Sequence, residues 1–401
     1  MEFFYRRTPF FISELYPSTT MADFDSKSTI SITCPKRITP YLKKELQDLG
    51  FPIHKERLAG IETEGSLNDC MLLNLSLRTA HRVHYRLKDC RPKNAEELYN
   101  ELIKIPWEEY IDKHGYVSVT SFIKNKTVTN TQFANLKVKD AIVDRIRKKT
   151  GVRPDSGSNL NKTVIFVFWK NDRAQIYLDT SGESISRRGY RTETSVAPMQ
   201  ETLAAALIMA SKWEPGQHFI NPMCGSGTIA IEATLQALNK APGLLRPNYG
   251  IKHILGFDET RWNDLRSDLN NKTEKSFEGR IIATDHDVRA VNATRKNART
   301  AGLDHHIEVS KCDFTETEIP SDKTGVIMLN PPYGDRIGNE KDLEPTYEGI
   351  GDFFKQEATG YWGYVFTGNF DLAKKIGLRT NQRIEFYNST IDARLLEYEL
   401  Y

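Results

Sequence analysis

Apolar positions recur along this chain with two periods, and the switches between them outline its elements. Thr29-Ile30-Ser31-Ile32-Thr33 alternates with period two, the pattern of a half-buried strand. Helical spacing follows from about Ile38 to Leu49, where Tyr41, Leu42, Leu46 and Leu49 share one face and Gly50 ends the run. A strand near Ile61 precedes a helix carrying Leu67, Met71, Leu72 and Leu75, and Val83 to Leu87 alternates as a strand. Ala95 to Ile103 predicts a helix, and Tyr116 to Phe122 alternates cleanly as a strand. This mixed order predicts small α+β units. A long helix comes next, roughly Gln132 to Lys149, with Phe133, Leu136, Ala141, Ile142 and Ile146 as its buried face. Thr163 to Trp169 and Gln175 to Asp179 then read as a hairpin that turns at Asn171-Asp172.

The second half has a different rhythm. A helix over Met199 to Lys212 leads into the short strand His218 to Asn221 and the helix Ile229 to Leu238. Ile281 to Asp285 is a buried strand followed by the helix Val288 to Ala301. Ile307 to Lys311 and Gly325 to Leu329 are further strands. Repeated βα units predict an α/β domain with an open sheet, in which ligands sit at the carboxyl ends of the strands.

Composition narrows the class. A chain of 401 residues predicts two or three domains, and 39% hydrophobic with 27% charged residues fits a water-soluble one. No apolar run approaches a membrane span. The net charge is only +2, so any nucleic-acid surface must come from local clustering. Five scattered cysteines without a Cys-x-x-Cys pair argue against disulfides and against a metal site, and favour a reducing cytoplasm. Residues 1–27 lack the basic start and continuous apolar core of a secretory signal. The expectation is a loose extension, with Met21 as an alternative start.

Positive charge does cluster. Lys137, Lys139, Arg145, Arg147, Lys148 and Lys149 lie on the long helix, with Lys124, Lys126 and Arg153 in its flanks. Ser186-Arg187-Arg188-Gly189-Tyr190-Arg191 forms a basic connector. Lys137, Lys139, Arg147, Lys148, Arg187, Arg188 and Arg191 are therefore candidate RNA contacts. A solvated helix face and a plain surface linker are the competing readings.

Chemistry concentrates at the strand ends. Asn330-Pro331-Pro332-Tyr333 follows the strand Gly325 to Leu329. Two prolines remove two donors and fix φ, leaving the Asn330 and Pro331 carbonyls free to accept hydrogen bonds. An exocyclic amine held by the Asn330 side-chain oxygen and the Pro331 carbonyl has its lone pair turned out of conjugation, and Tyr333 offers its base a stacking face. Asn221-Pro222-Met223-Cys224-Gly225-Ser226-Gly227-Thr228 joins a strand to a helix through a Gly-x-Gly turn, a cradle for a nucleotide-like ligand. It lacks Gly-Lys-Ser/Thr, which excludes a P-loop, and a third glycine, which weakens a dinucleotide site. Asp285, with His286 beside it, ends the next strand and can take both hydroxyls of a ribose. Asp313 can accept from an adenine amino group and Phe314 can pack on the ring, although an acid at such a position also serves as a helix cap.

In this order, these motifs resemble the class I S-adenosylmethionine-dependent methyltransferases that modify exocyclic amines. Asn130-Thr131-Gln132-Phe133, Leu136 to Asp144, Arg188-Gly189-Tyr190-Arg191 and Ala197-Pro198-Met199-Gln200-Glu201-Thr202 narrow the resemblance to the THUMP-domain rRNA methyltransferases, nearest the guanine-N2 module of the RlmL type acting on 23S rRNA. The resemblance runs from about Ser28 to the C-terminus. It implies a ferredoxin-like unit at 28–85, a THUMP RNA-binding unit at 86–182, a basic linker at 183–198 and a Rossmann-like methyltransferase domain at 199–401, mostly parallel with a C-terminal antiparallel hairpin. It also implies S-adenosylmethionine as cofactor, with Asn221 to Thr228 around its methionine part, Asp285 and His286 at its ribose, and Asp313 and Phe314 at its adenine. Asn221 stands where the family usually has Asp, and Gly334-Asp335-Arg336-Ile337 replaces the usual Gly-Glu-Arg-Leu. The second methyltransferase module of some relatives is not part of the match, so a single modification is expected. N6-adenine methylation, glutamine methylation in a protein and a non-catalytic RNA-binding assembly role are the alternatives. The lysine-rich helix favours RNA, and the intact Gly225/Gly227 loop with Asn330 favours an enzyme.

Overall fold

The computed structural model describes residues 21–128, 130–193, 199–333 and 340–401. Its N-terminal half is built on β1 (Ser28–Thr33), β2 (Lys55–Arg57), β3 (Gly60–Gly65), β4 (Arg82–Cys90), β5 (Tyr116–Lys124), β6 (Asp155–Gly157), β7 (Thr163–Lys170) and β8 (Arg173–Asp179). Helices α1 (Thr39–Asp48), α2 (Leu67–Ser76), α3 (Ala95–Leu102) and α4 (Thr131–Thr150) complete it. All eight strands form one sheet in the order β2-β3-β1-β4-β8-β7-β5-β6. The expected boundary at residue 85 falls inside β4, which pairs with β1 on one side and β8 on the other. Two α+β units thus share a continuous sheet. Ser66 and Asp69 close a capping box at the start of α2, and Asn130 caps α4 by accepting from the Phe133 amide at 3.1 Å.

Two expectations change here. Part of the presumed loose extension is packed down: Ala22 and Phe24 are buried, and the Ala22 amide donates to the Glu109 carbonyl at 2.9 Å. On α4, the buried face is Ala134, Val138, Ala141, Ile142, Val143 and Ile146, whereas Phe133 and Leu136 are about half exposed. The helix inserts its small and β-branched stripe against α3 and β5, and the first-turn aromatic falls outside that contact.

The C-terminal half carries β9 (His218–Pro222), β10 (Ile281–Asp285), β11 (Glu308–Lys311), β12 (Gly325–Leu329), β13 (Trp362–Thr367), β14 (Gln382–Asn388) and β15 (Ile391–Glu399). Its helices are α5 (Glu201–Ala210), α6 (Thr228–Ala237), α7 (Glu259–Asn271), α8 (Val288–Thr300), α9 (Glu340–Glu357) and α10 (Phe370–Lys375). The sheet order is β11-β10-β9-β12-β13-β15-β14, with β9 to β13 parallel to one another and β15 antiparallel to both β13 and β14. Chain order reverses between β9 and β12, so the loops leaving these two strands open the crevice where such sheets bind ligands. This is the expected α/β arrangement with its antiparallel hairpin. β12 is buried throughout, as a strand covered on both faces must be.

The halves are locked together by buried polar groups. Arg188 is 1% exposed and donates to the Ile185 carbonyl, to the Arg78 carbonyl and to Glu232, which is fully buried. Glu45 on α1 accepts from the Arg78 and Thr79 amides, and burial pushes its carboxyl upward. Tyr41 stacks on Phe386 of β14 at 5.7 Å, while Arg37 pairs with Glu385. Among the described residues no helix is long and apolar enough to cross a membrane.

Candidate active site

The loop after β9 is held from beneath by α8. Thr294 Oγ1 donates to the Gly225 carbonyl at 2.9 Å and Asn297 Nδ2 to the Ser226 carbonyl at 3.0 Å. Met223, Gly225 and Gly227 all have positive φ, at 55°, 58° and 80°. At Gly227 a Cβ would sit 2.7 Å from the Thr294 methyl, so glycine is required both for the turn and for the close approach. Cys224 is buried and its thiol is pushed up to about 12 by burial, which makes it a neutral packing group and no nucleophile.

Asp285 ends β10 and meets this loop directly. One carboxylate oxygen accepts from the Gly225 amide at 3.0 Å and the other from the Asp287 amide at 2.9 Å. The first strand end therefore sets the second. His286 Nδ1 lies 3.7 Å from Asp285, with its side chain 80% exposed. After β11, Asp313 caps the short turn Phe314–Glu316 by accepting from the Thr315 amide and hydroxyl at 3.0 and 2.8 Å. Phe314 packs edge-on to Phe353 at 6.1 Å, and Gly349 leaves room beside its ring.

Asn330 follows β12 on the other side of the crevice. Its side-chain oxygen is buried and takes no hydrogen bond among the described residues. The Pro331 carbonyl likewise accepts nothing there. A buried acceptor left bare costs about 1–3 kcal/mol, which makes the Asn330 oxygen a candidate to accept from a ligand. The next residues are braced. The Tyr347 hydroxyl donates to the Pro332 carbonyl at 3.3 Å and shares a hydrogen bond with Thr367 at 2.9 Å. Tyr333 accepts from Asn388 Nδ2 at 2.8 Å, meets Phe366 edge-on at 6.1 Å, and fills the space that Gly368 leaves open. Asn221 is a second buried amide with a bare oxygen, while its nitrogen donates to the Met328 carbonyl at 2.8 Å.

The sequence motifs Asn221 to Thr228, Asp285, Asp313 and Asn330 to Tyr333 thus lie along one edge of a single sheet. Residues 334–339, with the Gly-Asp-Arg-Ile variation, fall outside the described residues, as do residues 194–198 of the linker. Sequence reading missed Thr294, Asn297, Tyr347 and Asn388. The first two carried a signal, since they are polar residues on the inward stripe of α8 beside Val291 and Ala298.

The basic connector needs correction. Arg188 was expected to meet RNA, but it is enclosed and paired with Glu232. Arg191 donates to the Met199 carbonyl at 2.6 Å and to Thr228 Oγ1 at 3.0 Å, and pairs with Glu201. Arg191 cross-braces the loop after β9 and α5, while Arg188 joins the Arg78 carbonyl to Glu232 on α6. Arg187 stays 76% exposed and lines, with Arg191 and Arg246, a cavity of about 660 Å³. On α4, Lys137 pairs with Glu96 and Lys139 with Asp140 at 3.3 Å each, and Arg147 and Lys148 remain exposed. No cluster of three or more His, Cys, Asp or Glu fit to hold a metal occurs among the described residues.

Three family models match the chain: the RlmL ferredoxin-like domain over residues 29–84, the THUMP domain over 92–179, and the RMKL-like methyltransferase domain over 188–397. The ribosomal RNA large subunit methyltransferase K/L of Syntrophotalea carbinolica is 34% identical over 377 residues, 92% of this chain and 53% of that protein. The chain spans about half the length of the curated K/L relatives it matches. A Synechocystis sp. protein designated a candidate RNA methyltransferase is 35% identical over 358 residues, 89% of this chain and 93% of that one. The solved structure of SMU.472, a methyltransferase candidate complexed with SAH, superposes with a TM-score of 0.83 at 28% identity, covering 94% of this chain and 98% of that one.

Proposed function

The chain belongs to the RMKL-like methyltransferase family, with RlmL ferredoxin-like and THUMP domains ahead of its methyltransferase domain, and from that premise we propose that it methylates the N2 amine of a guanine in 23S rRNA. S-adenosylmethionine is the methyl donor, and it supplies an electrophilic methyl group on a sulfonium sulfur. The residues fit it: a tight glycine turn at a helix N-terminus, a bare buried Asn221 oxygen, and acids at two successive strand ends. The loop Asn221 to Thr228 would hold its methionine part, Asp285 with His286 its ribose, and Asp313 with Phe314 its adenine.

The observation that carries the reading is the bare Asn330 oxygen beside the unfilled Pro331 carbonyl. An aromatic amine offers two N–H groups, and two fixed acceptors take both. That removes its lone pair from conjugation and aims it, while Tyr333, held by Asn388, gives the flipped base a surface. The Pro331 carbonyl is fixed by the two proline rings before substrate arrives, which reduces the reorganisation needed in the transition state. The name of the Syntrophotalea relative supports large-subunit rRNA as substrate. The THUMP match supports RNA over DNA or protein.

An adenine N6 amine satisfies the same two acceptors, so the product must be identified. Incubation with labelled donor and unmodified 23S rRNA, followed by nucleoside mass spectrometry, should yield N2-methylguanosine. N6-methyladenosine would instead establish the adenine reading.

A further inference from the structure

The eight-stranded sheet has a helix side and an opposite side. Ser121 Oγ donates to Asn135 of α4 at 2.6 Å, which places Ser121 and its alternate neighbours on the helix side. Ser118, Thr120, Phe122 and Lys124 therefore face the other way. Register extends this face across the strands. Phe122 lies opposite Phe168, Thr120 opposite Phe166, and Lys124 opposite Lys170. Phe166 in turn lies opposite Tyr177 and Lys170 opposite Arg173.

Two groups of aromatic rings lie on this face, Phe122 with Phe168 and Phe166 with the buried His84 and Tyr177. Phe122 and Phe168 stack at 5.2 Å and 10°, His84 and Phe166 at 4.4 Å and 14°, and Phe166 meets Tyr177 at 6.0 Å. Phe122 is 48% exposed at the end of this series. β6 pairs only with Tyr116, Val117 and Ser118, so among the described residues no strand flanks Phe122 on the side away from β7, and the stack stops at an open ring. One row further on, Lys124, Lys170 and Arg173 are all exposed. Among the described residues Lys124 and Lys170 have no carboxylate partner, and Asp89 is shared between Arg86 and Arg173.

We propose that this face is a stacking platform for single-stranded RNA, with bases on Phe122 and Phe168 and phosphates on Lys124, Lys170 and Arg173. Every base has a π-face, so an open aromatic stack takes bases without regard to sequence, and a parallel row of cations follows the backbone. Sheet-borne aromatics bind splayed bases in other RNA-binding folds, whereas a duplex keeps its bases stacked on each other and out of reach. A purely apolar protein partner gives no reason for a row of three cations, two of which lack a carboxylate partner among the described residues. The proposal rests on the RNA reading above, and it moves the contact from the linker arginines to the sheet.

The test uses the full chain and a fluorescein-labelled single-stranded oligoribonucleotide, with its duplex as control, in an anisotropy titration. Replacing both rings (Phe122→Ala with Phe168→Ala) should weaken single-strand binding by about 5- to 150-fold per stacked base lost, while Phe122→Tyr with Phe168→Tyr stays near wild type and duplex binding does not change. Lys124→Ala with Lys170→Ala, which leaves the rings in place, should lower the salt slope by about two. Wild-type binding that the Ala and Lys pairs leave unchanged would overturn the platform and spare the RNA reading. Absence of RNA binding by the wild type would overturn both. A self-association lost in the Ala pair with RNA binding intact would assign the face to a second copy of the chain and overturn the proposal.

Discussion

Asn221 Nδ2 donates to the Met328 carbonyl across 2.8 Å, joining the root of the glycine loop after β9 to the strand that delivers Asn330 two residues later. Where the resemblance leads one to expect Asp, the amide supplies a donor that a carboxylate lacks. Asn221→Asp should therefore set two acceptors against each other in a site that is 1% exposed, at a cost of about 1–3 kcal/mol. The buried Asp would have its pKa raised, and its neutral form could still donate. The penalty should thus be small near pH 4 and grow as pH rises towards 7. Thermal unfolding of the two proteins against pH checks this, and a pH-independent difference would contradict it.

Asp285→Ala should remove more than the proposed ribose contact. The same carboxylate receives the Gly225 and Asp287 amides, so the loop should loosen as well. Loss of charge-assisted bonds of about 1.5–3 kcal/mol predicts SAH binding weaker by about 10- to 150-fold in calorimetry. Unchanged affinity would remove Asp285 from the site.

Arg187 and Arg188 are adjacent, yet their replacement should have different effects. Arg188→Ala leaves Glu232 buried and unpaired, which costs about 3–5 kcal/mol in a denaturant titration. Arg187→Ala should leave stability within about 0.5 kcal/mol and reduce the RNA salt slope by about one. Equal stability of the two variants would refute the assignment of Arg188 to the core.

These two arginines show what the sequence conceals. A basic run looks the same whether it is solvated or paired, because its partners Glu232 and Glu201 lie elsewhere in the chain. The outward turn of Phe133 and Leu136 was hidden for the opposite reason: a helix with small and β-branched residues inside can leave larger ones out. The strand ends at Asn221, Asp285, Asp313 and Asn330 were legible because each follows a short apolar run with turn residues behind it. Helix α7 was passed over: its stripe is only Trp262, Leu265 and Leu269 among otherwise polar residues, and only Trp262 of these is fully buried.

His81 supplies a pH-dependent term at the seam between the halves, where it hydrogen-bonds Thr202 at 3.2 Å. Burial, with nearby Arg188 and Arg82, lowers its pKa to about 4. The unfolded chain takes up a proton near pH 6.5 that the fold accepts only near 4, so stability should fall as pH drops through that window, by about 1–3 kcal/mol. His81→Gln should flatten that part of the stability profile. An unaltered slope would mean that the fold does not hold His81 neutral.

The account depends most on Asn330. On the proposed assignment the donor is held at other strand ends, so Asn330→Ala should bind SAH much as the wild type does. Its single-turnover rate of N2-methylguanosine formation on unmodified 23S rRNA should fall about 10²- to 10³-fold, the loss typical of one preorganised polar contact in a transition state. That rate is the deciding measurement: a fall of this size with SAH affinity unchanged is the predicted result, and near-wild-type turnover would contradict it and leave Asn-Pro-Pro-Tyr a simple turn after β12.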